Sequence, residues 1–182
     1  MGEESAKDSY APMVYHGSPI DPLAGDNASI AVLGLGNLLF GDEGVGIHAL
    51  HMLRARLDPT AVGIAFLDGG VAGLDLLPLV ESCSHLLILD AADASMAPGS
   101  VIERRGEDLL HMAGVCLSEH QLSFQSVLGI AHFRGLLPEH LHLLGVQPAA
   151  LQPGTSLSEQ VQGSLMYVCQ RAGEILHSWT NE

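Results

Sequence analysis

The sequence predicts an α/β fold, a three-layer sandwich whose mainly parallel, twisted sheet carries helices on both faces. Three observations predict it. Apolar runs of strand length at residues 30–33, 62–67, 85–89 and 140–146 alternate with stretches whose apolar residues recur at helical spacing. The run 85–89 is almost wholly apolar, as a strand buried on both faces requires. The run 30–33 opens through glycines into a helical pattern, the strand–turn–helix unit from which parallel sheets are built.

The elements follow in order. Residues 30–33 are too short for a helix and rich in β-branched side chains, so they read as a buried strand. Gly34 and Gly36 permit a sharp turn, and Asn37 tolerates left-handed backbone. From about Gly44, Val45, Ala49, Met52 and Leu53 mark a helix, so Asp42 and Glu43 stand at a helix start beside the carboxyl end of a strand, where open α/β sheets place ligands. Residues 62–67 form a second strand ending in Asp68-Gly-Gly70, and 74–80 a short helix. The central strand ends at Asp90, and a brief strand near an edge, 100–103, follows the Pro98-Gly99 turn. Residues 111–119 read as irregular loop. The next helix presents Phe124, Val127, Leu128 and Ala131 on one face and is stopped by Pro138. His140 and His142 alternate at the start of the last strand. In the final helix Ser156-Leu-Ser-Glu159 is a capping-box sequence, and Val161, Leu165, Val168, Ala172, Ile175 and Trp179 form the buried stripe.

A chain of 182 residues, 47% hydrophobic, buries one substantial core, which makes residues 29–182 a single domain preceded by a flexible extension, 1–28. Seven Lys and Arg against 21 acids give a formal charge of −14, which disfavours nucleic acid and anionic membranes and favours a basic or metal-carrying partner. Cys83, Cys116 and Cys169 are odd in number, widely separated and without a Cys-x-x-Cys pair, so they read as thiols of a reducing compartment. The extension has no apolar signal core, and no apolar run approaches the roughly 20 residues of a membrane span. The chain is expected in the cytoplasm, as a monomer.

Two chemistries compete for the glycine turn. A dinucleotide fingerprint needs a third small residue where Leu39 stands, and it presents bare backbone N–H groups to a pyrophosphate. Here the turn delivers Asp42 and Glu43, whose charge repels phosphate and suits a cation or a proton transfer. The plainer reading is that the two acids cap the helix. Glu43, Asp68 and Asp90 all follow strands and can gather at one sheet edge, which His120, in a loop just before a helix, can reach. Two carboxylates and an imidazole suit nickel, zinc or a similar divalent ion. Asp90 as a turn cap is the competing reading of that residue, and Asp68 suits a supporting place behind the site or, in a Rossmann domain, a ribose hydroxyl. The spaced pairs His48 with His51 and His140 with His142 read as ordinary surface or core positions.

Gly34-Leu-Gly-Asn-Leu-Leu-Phe-Gly-Asp-Glu-Gly-Val-Gly46 also resembles the opening motif of the hydrogenase maturation endopeptidases. The resemblance continues through Leu67-Asp-Gly-Gly-Val-Ala-Gly73, Leu89-Asp-Ala91, Pro98-Gly99, His120-Gln121 and Gly145-Val-Gln-Pro148, in the family's order and at about its spacing. It implies an enzyme that trims the C-terminal tail from the precursor of the nickel–iron hydrogenase large subunit. Nickel is then supplied by the substrate protein, no organic cofactor is needed, and Glu43, Asp90 and His120 are both the metal-contacting and the catalytic residues. The resemblance leaves two mechanisms open: metal-assisted attack by water, or an aspartic-type pair in which Glu43 and Asp90 share a proton. A non-enzymatic nucleotide-binding or assembly module on a Rossmann-like scaffold is the alternative.

Overall fold

The computed structural model describes residues 29–57, 63–110 and 119–181. Five strands, β1 (Ile30–Leu35), β2 (Ile64–Gly70), β3 (His85–Ala91), β4 (Val101–Arg105) and β5 (His140–Val146), form one sheet in the order β2-β1-β3-β5-β4. All neighbours are parallel except β4, which runs antiparallel to β5 at an edge. Four helices, α1 (Val45–Arg56), α2 (Leu77–Ser82), α3 (Glu119–Phe133) and α4 (Glu159–Trp179), cover the two faces. The predicted three-layer α/β sandwich is the observed architecture. The expected extension, 1–28, and most of the expected loop, 111–118, lie outside the described residues.

The sheet is buried on both sides because alternate residues of its central strands serve opposite cores. Val32, Leu87 and Leu144 pack with α1 and α4, against Leu53, Val168 and Ala172. Leu33, Leu86, Ile88 and Leu143 pack with α2 and α3, against Val80, Phe124 and Val127. Each such leucine contributes about 1.5–3 kcal/mol relative to exposure. The stripe read along the last helix is buried from Val161 to Trp179. Its start differs from the capping box expected at Ser156. The N-cap is Ser158, whose hydroxyl accepts from Val161 N at 3.4 Å. A buried carboxylate described below holds the Ser158 amide, so the chain becomes helical only beyond it.

Close approach fixes α1 on the sheet. A Cβ at Gly46 would lie 2.2 Å from the carbonyl oxygen of Leu89 and 2.4 Å from that of Leu35. At Gly34 it would meet Gly46 O at 2.9 Å. The first turn of α1 thus rests directly on the backbones of β1 and β3, a contact open only to glycine.

Midway along the edge strand, Glu103 of β4, in register with Leu144 of β5, ties β4 to α4. Its carboxylate accepts from Arg171 Nε at 3.0 Å and Nη2 at 3.0 Å, from Arg105, and lies 2.8 Å from His142 Nε2. Arg171 foremost, with Arg105 and His142, outweighs burial and holds the Glu103 carboxyl well below the usual carboxylate range, while burial lowers His142. The rings of His85 and His140, register neighbours on β3 and β5, stack with centroids 4.3 Å apart, and Trp179 meets the His85 ring edge at 5.2 Å. The sequence pair His140 and His142 therefore belongs to the packing of this edge.

Three outcomes are expected. Gly46→Ala should lower the thermal midpoint markedly, by an overpacking cost of about 1–3 kcal/mol or more. Gly173→Ala, on α4 with no atom within 4 Å of the added carbon, should raise it. Because the folded Glu103 carboxyl is depressed, its stabilisation is present above the unfolded value of about 4 and is lost as pH falls toward the folded one. The melting temperature of wild type should thus fall more steeply below about pH 4 than that of Glu103→Gln.

Candidate active site

The turn after β1 is shaped by one glycine and one asparagine. Gly36, at φ +126°, donates its N–H to Gly70 O at 3.0 Å, and a Cβ there would lie 1.8 Å from Glu43 O. The Asn37 side chain accepts from Leu39 N at 3.0 Å, and its carbonyl accepts from Phe40 N at 3.0 Å, which closes the turn. A single 3-10 turn, Gly41–Gly44, follows and leads into α1. Asp42 and Glu43 lie within it, both buried.

Neither acid is placed as a simple helix cap. The N-cap of α1 is Gly44, with no side-chain cap bond. Asp42, 1% exposed, reaches across to the connector between β5 and α4. Its Oδ2 accepts from Ala149 N at 2.9 Å and Ala150 N at 3.2 Å, and its Oδ1 from Ser158 N at 2.6 Å. Burial pushes its pKa up, but the amides of Ser158, Ala149 and Ala150 together outweigh that and hold the carboxyl below its ordinary value, so it is charged at neutral pH.

Asp90 leaves the sheet on the neighbouring strand. It is buried in β3 opposite Gly145, and its Oδ1 accepts from Ala91 N at 2.8 Å. The connector also holds the segment that follows it. Gln147 Oε1 accepts from Ala94 N at 2.8 Å and Met96 N at 3.1 Å, and its Nε2 donates to Asp93 Oδ1 at 3.0 Å. The segments carrying Glu43 and Asp90 are thus fastened to the same connector, one through Asp42 and the other through Gln147.

Glu43 and Asp90 come to the same carboxyl edge, since β1 and β3 are parallel neighbours and the 3-10 turn packs against β3. His120 is the second residue of α3, whose path back to the start of β5 puts its first turn at that edge too. The His120 side chain lies outside the described part of the structure. Among the described residues no three His, Cys, Asp or Glu are grouped to hold a metal. Asp68 ends the neighbouring strand β2, exposed, and its Oδ1 accepts from Gly70 N at 3.0 Å within its own turn. Asp42 and Gln147 are the residues whose roles the sequence concealed, because the partners of Asp42 lie more than a hundred residues away in sequence and those of Gln147 more than fifty.

Comparison with known proteins decides what this edge belongs to. Residues 47–175 match the family model for hydrogenase maturation protease. The chain belongs to that family. The hydrogenase 2 maturation protease of Escherichia coli is 37% identical over 138 residues, covering 75% of this chain and 83% of that protein. The hydrogenase expression/formation protein HoxM of Azotobacter vinelandii is 39% identical over 150 residues, 81% of this chain and 72% of that one. The solved structure of the E. coli hydrogenase maturating endopeptidase HybD superposes with a TM-score of 0.76 at 33% identity, over 82% of this chain and 92% of that chain. This maturation protease is therefore an endopeptidase of hydrogenase maturation, and the carboxylate-bearing edge is where its chemistry is to be sought.

Removing the Asp42 carboxylate strands three amides. Asp42→Ala should cost about 1–3 kcal/mol in chemical denaturation, and hydrogen exchange should show faster exchange at Ala149 and Ser158 than at the centre of α4.

Proposed function

We propose that the protease removes the C-terminal extension of a nickel-loaded [NiFe] hydrogenase large-subunit precursor, acting as a monomer in the cytoplasm. Glu43, Asp90 and His120 are its catalytic and nickel-reading residues, and the nickel arrives with the substrate. The observation that carries this is the placement of two buried carboxylates, Glu43 and Asp90, on adjacent parallel strands' exits, each on backbone held by glycine packing or side-chain staples. No described helix is long and apolar enough to cross a membrane.

The donor set supports reading a divalent ion of borderline softness. Hydrolysis needs a water attacking the scissile carbonyl, a base that takes its proton and delivery of that proton to the leaving amine. Glu43 and Asp90 are the groups available for this. A thiolate nucleophile is disfavoured at both described cysteines: burial pushes the Cys83 thiol up to about 11, and it raises that of Cys169 as well. Bound nickel would polarise the carbonyl, and it would make metal insertion the condition for cleavage. Without such a requirement, the same two carboxylates sharing one proton would serve as an aspartic-type pair.

Nickel-loaded and nickel-free precursor, incubated separately and followed by intact mass, distinguish the two. The expected result is loss of the C-terminal peptide only from loaded precursor. Equal cleavage of both would sink the nickel requirement and leave the aspartic pair. Asp90→Asn, which keeps the bond to Ala91 N while removing charge, should abolish cleavage with the melting temperature little changed, and His48→Ala should cleave normally.

A further inference from the structure

The four described connections at the carboxyl edge share two properties. Each carries an exposed large apolar side chain: Leu39 (67%) and Phe40 (41%) after β1, Val71 and Leu74 after β2, Met96 after β3, and Leu151 after β5. Leu38, Leu39 and Phe40 are three consecutive exposed apolar residues, a run that soluble surfaces avoid unless it is used. A short parallel bridge joins this run to the connector after β5. Phe40 pairs with Gly154, Gly41 N donates to Gly154 O at 2.8 Å, and Gly154 N donates to Leu39 O at 2.9 Å. The apolar side chains are therefore held in place on fixed backbone beside the turn that carries Glu43.

The second property is charge. Residues 36–44, 68–76, 90–100 and 147–158 contain Asp42, Glu43, Asp68, Asp75, Asp90 and Asp93, and no Lys, Arg or His. The six arginines of the described residues lie elsewhere: Arg54 and Arg56 end α1, Arg104 and Arg105 end β4, Arg134 follows α3, and Arg171 sits well down α4 against Glu103. The described residues thus present an acidic, apolar face at one edge, with their arginines kept to the rest of the surface.

We propose that this edge, outside the Glu43 and Asp90 centre, is a docking surface for a face of the precursor that pairs basic side chains with large apolar ones, with Leu39 and Phe40 as its anchor. The inference rests on the endopeptidase reading above and adds how the substrate protein is held. Charge selects the occupant: a basic partner is steered to this edge, and a second copy of this chain would set carboxylates against carboxylates. Asp68 and Asp75, both exposed, act chiefly on encounter, while Leu39 and Phe40 act on residence.

The test is steady-state cleavage of nickel-loaded precursor by the full chain at low and high ionic strength. Leu39→Ser should raise KM by about tenfold or more with kcat and melting temperature nearly unchanged, since its side chain is mostly exposed and only its backbone bonds the connector. Asp75→Asn should raise KM severalfold at low salt and little at high salt, and wild-type KM should itself rise with salt. Phe133→Ser, 92% exposed at the opposite edge, should behave as wild type. Wild-type KM in Leu39→Ser, or a salt-independent KM in wild type, would overturn the docking surface while cleavage itself upholds the enzyme reading. A concentration-dependent dimer lost in Leu39→Ser would also overturn it, by assigning the face to a second copy. Absence of any cleavage by wild type would remove both proposals.

Discussion

Backbone contact through glycine is the constraint on which the rest of this protein depends. Gly46 sets the first turn of α1 against the carbonyls of Leu35 and Leu89, and Gly36 lets the turn after β1 fold back onto Glu43. A single methyl group at either position would force the helix away from the sheet. With α1 displaced, the core around Leu50 and Leu53 would open, and the 3-10 turn that packs against β3 would lose its seat. The same contact that closes the core therefore sets the position of the acids. Stability and chemistry share one set of residues at this crossing.

The two edges of the sheet divide the polar work. Along β4, Glu103, Arg105 and Arg171 form a charged cluster that His142 joins, and the imidazoles of His85 and His140 stack beside Trp179 at the beginning of the parallel strands, which together blunt the antiparallel edge strand and fix it to α4. At the carboxyl ends the polar groups are backbone amides and acids, some buried and some exposed, and cationic side chains are absent from the four described connections. Charge pairing thus serves structure at one end, and the other keeps its negative potential available to a partner.

Most of the fold was legible because it is written in local periodicity. The apolar runs at 30–33 and 85–89, the stripe from Val161 to Trp179 and the glycines after the first strand each state their element directly. The strand near an edge at 100–103 is the edge strand β4. Positions of Glu43 and Asp90 at one edge follow from parallel topology alone. What the sequence did not disclose was long-range: Asp42 read as a charge for a cation or a proton transfer, or more plainly as a cap, yet it serves amides more than a hundred residues away, and the cap of α4 lies at Ser158, whose amide it holds, and not at Ser156. Asp68, by contrast, closes its own turn by accepting from Gly70 N. Local spacing cannot distinguish a carboxylate that closes its own turn from one that crosses the molecule.

The connector from Gln147 to Ser158 has no helix or strand of its own beyond a single bridge at Gly154, and side chains from two other segments supply its order. Asp42 grips it at Ala149, Ala150 and Ser158, and through Gln147 it grips Asp93, Ala94 and Met96 in turn. In mechanical terms it is a yoke. It ties the exits of β1 and β3, which carry Glu43 and Asp90, to one piece of backbone. Grafting a different connector onto this scaffold must therefore carry Gln147 and the Asp42-facing amides along, or the exits of β1 and β3 lose their common fastening.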